Sequence, residues 1–394
     1  MNKYTSKLIN LPGYVITKKY FNQFRLIFWA RLKSKHAICP FCKAKTRVCY
    51  EKKLRTIKHS FWDQRPCFLK ITCRKFKCNS CKSRFWERLP GVNKYARRTE
   101  AHKKQIASDA LSGYNNKACA KKFNCGQATV QRYINHFTDL ELKKKSDVLA
   151  PRVLGIDEHF FTRKSGYATT LCDLQRKKIF DITLGRSESS LEGYLKRLKH
   201  KSRTQYIVMD LSNTYRSIAR KHFPNAQIIT DRFHVIRLVN LRFNQAWHKL
   251  DPNGKSNMKL TKYFRTKPEK LYPSQKLVLG KYLKSKQWIL DLYEFKNRLC
   301  RLLNYKSLQY NNAKRVFKYF FKLIDKLKNS NLQPLISLAN TLESWHEEIL
   351  RMLKHTTSNG VTEGFHNKMK RIVRIAYGFR NFKNYKSRVL LQCG

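Results

Sequence analysis

The sequence predicts a multidomain α+β protein. A mixed α/β core is preceded by two small modules and interrupted by a long, mostly helical stretch. Three observations carry this reading. Three apolar runs between Arg152 and Val235 each lead into an aspartate, two Cys-x-x-Cys pairs lie upstream, and beyond Val235 the apolar spacing is almost entirely helical.

In the core, Val153-Leu154-Gly155-Ile156 leads into Asp157, Tyr206-Ile207-Val208-Met209 into Asp210, and Ile228-Ile229-Thr230 into Asp231. Short apolar runs bounded by turn formers read as buried strands. Tyr167 to Leu171 and Ile179 to Leu184 are further strand-like runs. After Gly185, Ser189 and Glu192 are placed to form a capping box, and Leu191, Tyr194, Leu195 and Leu198 follow helical spacing. Three strands, a helix, a strand, a helix and a strand suggest a mixed sheet covered by helices. Aspartates closing adjacent inner strands would point carboxylates at one spot, an oxygen-lined site for a hard divalent cation. A single aspartate is more simply a turn or helix cap, and for Asp210, just before Leu211-Ser212-Asn213, that reading has weight. Three on successive strands, in a chain this poor in acid, favour the metal site.

Composition narrows the partner. Lys and Arg number 84 against 25 Asp and Glu, a net charge of +59 over 394 residues. Such an excess repels itself unless a polyanion offsets it, and nucleic acid is the natural one. No stretch resembles a membrane span, and Met1 to Lys7 lacks the apolar core of a secretory signal. Cytoplasmic residence is expected, where the twelve cysteines are poor disulfide candidates.

The N-terminal 95 residues are expected to form a zinc-binding domain. Seven of the twelve cysteines fall between Cys39 and Cys81. Cys39-Pro40-Phe41-Cys42 and Cys78-Asn79-Ser80-Cys81 are two knuckles whose spacing lets four thiolates grip one tetrahedral Zn²⁺. Redox chemistry is the competing reading of such pairs. The 35 residues from 43 to 77 contain strand-like runs such as Phe68-Leu69-Lys70-Ile71, while Cys49, Cys67, Cys73 and His59 read as structural.

Residues 96–140 turn helical. His102 to Leu111, Asn116 to Phe123 and Gln127 to Phe137 read as three helices, with Asn124-Cys125-Gly126 as a turn that can use the glycine's positive φ. Ala118, Ala120, Val130 and Ile134 would pack inward. This is the order of a helix-turn-helix, with Gln127, Thr129, Gln131 and Arg132 facing the major groove. Glu141 to Asp147 reads as a charged linker to a core spanning 151–236.

From 237 to 355 a helical insertion is expected. Leu238, Leu241, Trp247, Tyr263, Phe264, Trp288, Leu292, Phe295, Leu302, Phe317, Phe320, Leu323, Leu335 and Trp345 recur at helical intervals as the core of a bundle. The last segment, 356–394, opens on Ser358-Asn359-Gly360 and continues as a helix and a basic tail. Val361, Phe365, Met369, Ile372 and Ala376 mark one face, and Glu363, Asn367, Lys370 and Arg374 another. A carboxylate followed by cations suits a metal site continuing into a phosphate track, although Glu363 also suits the dipole of a first helical turn. Arg371, Arg374, Arg380, Lys383, Lys386 and Arg388 then alternate with Tyr377, Phe379, Phe382 and Tyr385, as on a nucleic-acid surface.

Taken together, these motifs resemble the DDE transposases of the ISL-three family of bacterial insertion sequences over nearly the whole chain. The paired knuckles, Gly155-Ile156-Asp157-Glu158, Val208-Met209-Asp210, Phe223-Pro224-Asn225-Ala226, Asp231-Arg232-Phe233-His234-Val235, Glu363-Gly364 and Tyr377-Gly378-Phe379-Arg380-Asn381 carry the resemblance. It implies an RNase H-like catalytic core with a carboxylate triad, interrupted by a helical insertion before the final glutamate. Asp157 and Glu363 map onto the outer members; the middle one is Asp210 by strand order, with Asp231 as its rival. Asp157 would bridge two Mg²⁺ or Mn²⁺ ions, with Asp210 and Glu363 holding one each. The partners implied are double-stranded DNA, as terminal inverted repeats and target, bound by a homo-oligomer in the nucleoid. Two other readings stay open: a zinc-finger and helix-turn-helix transcription regulator, and a catalytically inactive relic. The regulator leaves the aspartates and the distant Glu363 unexplained.

Overall fold

Apolar–polar alternation along the first strands buries one face of each and builds an N-terminal sheet. The computed structural model describes residues 11–144, 149–306, 308, 310–355 and 360–394. Met1 to Lys7, the end of the expected linker and Ser358-Asn359 lie outside the described residues. The chain divides into two compact units, Met1–Lys144 with Val373–Arg380 and Lys145–Ile372 with Asn381–Gly394.

In the first unit the strands are β1 (Tyr14–Phe21), β2 (Leu26–Leu32), β3 (Ala37–Ile38), β4 (Lys45–Thr46), β5 (Cys49–Trp62), β6 (Arg65–Lys77) and β7 (Arg84–Trp86). The main sheet has the order β1-β2-β6-β5, with β7 on β6, while β3 and β4 form a separate ribbon. Phe68 to Ile71 lies in β6, so strand fills the stretch between the knuckles. Asp63 and Gln64, both with positive φ, close the long β5–β6 hairpin in the twist that two-residue turns favour. Phe28, Ile57, Leu69 and Ile71 form the buried face together with Cys67 and Cys73.

Three helices follow, α1 (Glu100–Ser112), α2 (Asn116–Lys122) and α3 (Gln127–Lys144). Thr99 caps α1 by accepting from the His102 amide, and Asn115 caps α2 by accepting from that of Ala118. Ile106, Ala110, Cys119, Phe123, Val130 and Ile134 pack between them. Cys119 and Phe123 fill the interior, while Ala118 and Ala120 are only half-buried. The turn takes its positive φ at Asn124 rather than Gly126. Helix α3 also runs on through Glu141, because no Gly or Pro interrupts it; the expected linker is helical to Lys144.

Burial holds His102 at about 4, below its ordinary 6.5. The unfolded chain therefore takes up the proton first. Stability is complete above about 6.5 and falls by up to roughly 3 kcal/mol as the pH drops toward 4. Thermal unfolding scanned from pH 7 to pH 4 should show this decline, and His102→Gln should flatten it. An unchanged slope in the variant would exclude His102 as its source.

The second unit opens with β8 (Val153–Thr162), β9 (Gly166–Asp173) and β10 (Lys178–Leu184), then α4 (Glu188–Arg197), β11 (Tyr206–Met209), α5 (Asn213–His222) and β12 (Gln227–Thr230). This is the element order the sequence predicts. The sheet order is β10-β9-β8-β11-β12; β9 is antiparallel to β8 and β10, and β11 is parallel to β8 and β12. Ser187, not Ser189, caps α4 by accepting from the Ser190 amide, because burying Leu191 and Leu195 sets the helix to begin at Glu188.

Helix α6 (Arg232–Leu250) leaves β12 and runs unbroken past residue 237. It leads into α7 (Met258–Arg265), α8 (Pro273–Lys284), α9 (Gln287–Leu303), α10 (Tyr310–Lys328), α11 (Gln333–Ser344) and α12 (His346–Lys354). Trp247, Phe264, Phe320, Leu335 and Trp345 are buried among them as expected, but Leu241 and Trp288 are exposed. Buried Arg232 ties this bundle to the sheet, donating to the carbonyls of Leu303, Tyr305 and Met352. Arg216 on α5 forms a two-pronged pair with the fully buried Glu348 on α12, at 2.7 and 3.0 Å. The chain closes with α13 (Gly360–Ile375) and α14 (Phe382–Cys393). Among the described residues no helix is long and apolar enough to cross a membrane.

Candidate active site and metal centre

Strand register puts three aspartates level with one another. Val208 pairs with Gly155 across β11 and β8, so two residues further on Asp210 stands beside Asp157. Met209 pairs with Thr230 across β11 and β12, which sets Asp231 beside Asp210. Asp157 does not end its strand as the apolar run suggests; β8 continues to Thr162 because its second half pairs with β9, Asp157 itself facing Thr170. Asp210 and Asp231 do follow the last residues of their strands.

Asp210 and Asp231 act on Asp157, and Asp231 acts on Asp210, through low-dielectric surroundings. Burial pushes Asp157 up to about 6, and Asp210 and Asp231 push the same way, while the Glu158 amide, donating to its Oδ1 at 2.8 Å, and His234 oppose the rise. Burial also raises Asp210, with Glu158 and Asp231 adding to it and His234 opposing. Asp210 is not a helix cap: Ser212 caps α5, and the buried Asp210 Oδ1 has no hydrogen-bond partner. Asp231 stands at the N-cap position just before α6 without a side-chain capping bond to it, and its Oδ2 lies 4.0 Å from His234 Nε2. The Arg232 guanidinium donates to the three carbonyls of the helical bundle, and Asp231 acts on it through charge. A carboxyl group whose proton affinity is raised by burial and by neighbouring carboxylates marks a place where a cation would be favoured.

Glu363 comes to this region on α13. Thr362 is buried and bonds the thiol of Cys172 on β9, whose strand partner is Gly155. One turn after Glu363, His366 Nδ1 lies 3.7 Å from Asp157 Oδ2. Glu363 itself is exposed. Thus Asp157, Asp210 and Asp231 share one electrostatic cluster, with Glu363 a helical turn from the histidine that touches it. Among the described residues no three of these groups bring ligand atoms within 4.8 Å of one another, so the cluster is more open than a closed metal cage.

Sequence reasoning missed the histidines. Burial holds His366 at about 4, with Lys370 adding to the effect, so it meets Asp157 as a neutral ring. His159 packs 5.4 Å away, bonded through Nδ1 to Thr170 Oγ1 and through Nε2 to the Tyr385 hydroxyl. Spacing offered one signal: His366 lies three residues after Glu363, on the next turn of the same helix.

The cysteine knuckles do converge. Cys39, Cys42, Cys78 and Cys81 place all four sulfurs within 4.8 Å of one another. Cys39 to Cys81 is 3.6 Å and Cys42 to Cys78 is 3.4 Å. The two knuckles repeat one backbone design. The Cys39 amide donates to the Ala44 carbonyl and that of Cys78 to the Ser83 carbonyl, while Lys43 and Lys82 take positive φ. The Ser83 hydroxyl and amide hold Cys81 down at about 6, toward the thiolate. Four thiols spaced like the edges of a tetrahedron fit a structural metal ion.

The expected DNA contacts are mixed in their surroundings. Gln127 and Arg132 are exposed at α3; Thr129 is half-buried, and Gln131 is engaged with Asn116 and Asn135. Lys370, Arg371, Arg374 and Arg380 are exposed. Arg388 and Tyr385 are buried and Lys386 pairs with Asp181, so these three leave the expected basic–aromatic surface because α14 turns them inward.

Comparison with known proteins agrees with this pattern. A family profile described as transposase, of the DDE type named for ISL-three elements, matches residues 154–389. The chain is also 24% identical, over 371 residues, to a Bordetella parapertussis protein named transposase for insertion sequence element IS1001, covering 90% of this chain and 88% of that one. The aspartate row, α13 and the helices between them all fall inside the matched span, and the chain belongs to the ISL-three family of DDE transposases.

Proposed function

We propose that the chain is the transposase of a bacterial insertion sequence, binding the terminal inverted repeats of its element as a homo-oligomer, cutting there and joining the ends to target DNA. The observation that carries this reading is the level row of Asp157, Asp210 and Asp231, with Asp157 and Asp210 each held up by burial and by carboxylates beside them. The sheet order β10-β9-β8-β11-β12, with β9 antiparallel, supports an RNase H-like core spanning 151–236 and 356–394 around a helical insertion at 237–355.

Asp157, Asp210 and Glu363 would hold the divalent ions. Two Mg²⁺ or Mn²⁺ ions held there would supply activation of an attacking oxygen and stabilisation of a leaving one at phosphorus. Asp157, at the β8 end of the row beside Asp210 and touched by neutral His366 on α13, would face both the row and the helix that carries Glu363. Asp231 and His234 would steady the outer edge. Lys370, Arg371, Arg374 and Arg380 would carry the phosphate track, and α2 and α3 would act as a helix-turn-helix within 96–140. Incubating the full chain with Mg²⁺, a labelled element-end duplex and a target plasmid should give end-to-target joined products. Joining of random duplex at the same rate would overturn the reading.

Cys39, Cys42, Cys78 and Cys81 would bind one structural zinc within residues 1–95. Metal analysis should find about one zinc per chain. Freshly prepared, folded protein without zinc would contradict this assignment.

A further inference from the structure

The N-terminal sheet has a second face, opposite its apolar core. Its inner face is occupied by the apolar core, so alternate residues on every strand point the other way. Cross-strand pairing sets Lys18, Trp29 and Lys70 in one row over β1, β2 and β6. The row on one side brings in Phe68 and Lys58, and the row on the other brings in Arg31. None of the residues in these three rows, including those on β5, is acidic.

The central row is preorganised for anions. Lys18 Nζ lies 5.3 Å and Lys70 Nζ 5.0 Å from the centre of the Trp29 ring. Cation–π attraction holds both ammonium groups on one indole, yet the two positive charges repel each other. A bound polyanion relieves that repulsion and keeps the ring contacts. The face is also continuous with the helices beside it. Lys58 Nζ and Arg98 Nη2 both donate to the Asn124 carbonyl, in the turn that leads into α3. A duplex held at Gln127 and Arg132 therefore has basic sheet beside it.

We propose that this outward face is a second, sequence-independent DNA surface, gripping the phosphate backbone of the duplex that α3 engages, through Lys18 and Lys70 with Trp29 between them. The proposal rests on the reading of the chain as a protein that binds its element's ends. Its test uses the full chain, a labelled element-end duplex and a random duplex, each titrated over a series of salt concentrations. The double variant Lys18→Gln/Lys70→Gln should weaken both duplexes equally and lower the slope of log affinity against log salt by about 2, while Lys18→Arg/Lys70→Arg restores it. Zinc content and melting temperature should be unchanged in both. A slope equal to that of the unaltered chain would overturn the proposal. So would an equal loss in Lys281→Gln/Lys284→Gln, exposed lysines on α8, or a loss confined to self-association in sedimentation. End recognition is read separately: Gln127→Ala should erase the preference for element ends with the slope retained. If the unaltered chain shows no such preference, end recognition fails while the salt slope still decides the sheet.

Discussion

Asp157→Ala, Asp210→Ala and Glu363→Ala are each expected to abolish Mg²⁺-dependent cleavage of element ends, a loss on the order of 10³-fold or more, with end binding intact. Losing a ligand removes the charge that holds a metal, and metal stabilisation of the transition state is worth several kcal/mol. Asp231→Ala should retain measurable activity, reduced about 10- to 100-fold as for groups that orient ligands. The distinction rests on register: Asp210 stands beside Asp157, and Asp231 is one strand further away. Gel assays of end cleavage, paired with mobility shifts on the same DNA, read both quantities. If Asp210→Ala cuts almost normally and Asp231→Ala is dead, the middle carboxylate is Asp231.

Arg216→Ala is expected to destabilise the second unit by about 3–5 kcal/mol, because it leaves the fully buried Glu348 without its main partner. Arg216 also donates to the Ser344 carbonyl and lies 4.4 Å from the centre of the Trp345 ring. Arg220 reaches Glu348 at 3.5 Å but is largely exposed, so it cannot replace the lost pair. Replacing both partners with apolar residues, Arg216→Met with Glu348→Leu, should recover most of the loss, since no charge is then stranded. Denaturant midpoints of the unaltered chain and the two variants measure both effects. A cost under about 1 kcal/mol for Arg216→Ala would show that α5 and α12 are held together by packing alone.

Local patterns made much of the fold legible. The knuckles were readable because four ligands at fixed spacing specify a geometry before any tertiary contact forms. The core strands were readable because Val153–Ile156, Tyr206–Met209 and Ile228–Thr230 are apolar runs cut off by polar residues. What lay beyond reach depended on distant pairing. The second half of β8, His159-Phe160-Phe161-Thr162, has no uninterrupted apolar signal, and its partner β9 decides that the strand goes on past Asp157. In Ser187-Glu188-Ser189-Ser190 more than one serine could cap α4, and packing of Leu191 and Leu195 selects Ser187. The parallel pairing of β2 with β6 leaves no local trace. His159, His366 and Tyr385 meet only after α13 and α14 return to the first strands.

Cation binding at the aspartate row is the most direct measure of the central reading. Mn²⁺ can be followed by electron paramagnetic resonance as it is titrated into the full chain with element-end DNA; the soft thiolates of the knuckles compete poorly for this hard ion. The unaltered chain should bind about two Mn²⁺ per active site, and Asp157→Asn should lose them while still binding the DNA. Equal Mn²⁺ binding by the unaltered chain and Asp157→Asn would contradict the assignment of the row as the metal site.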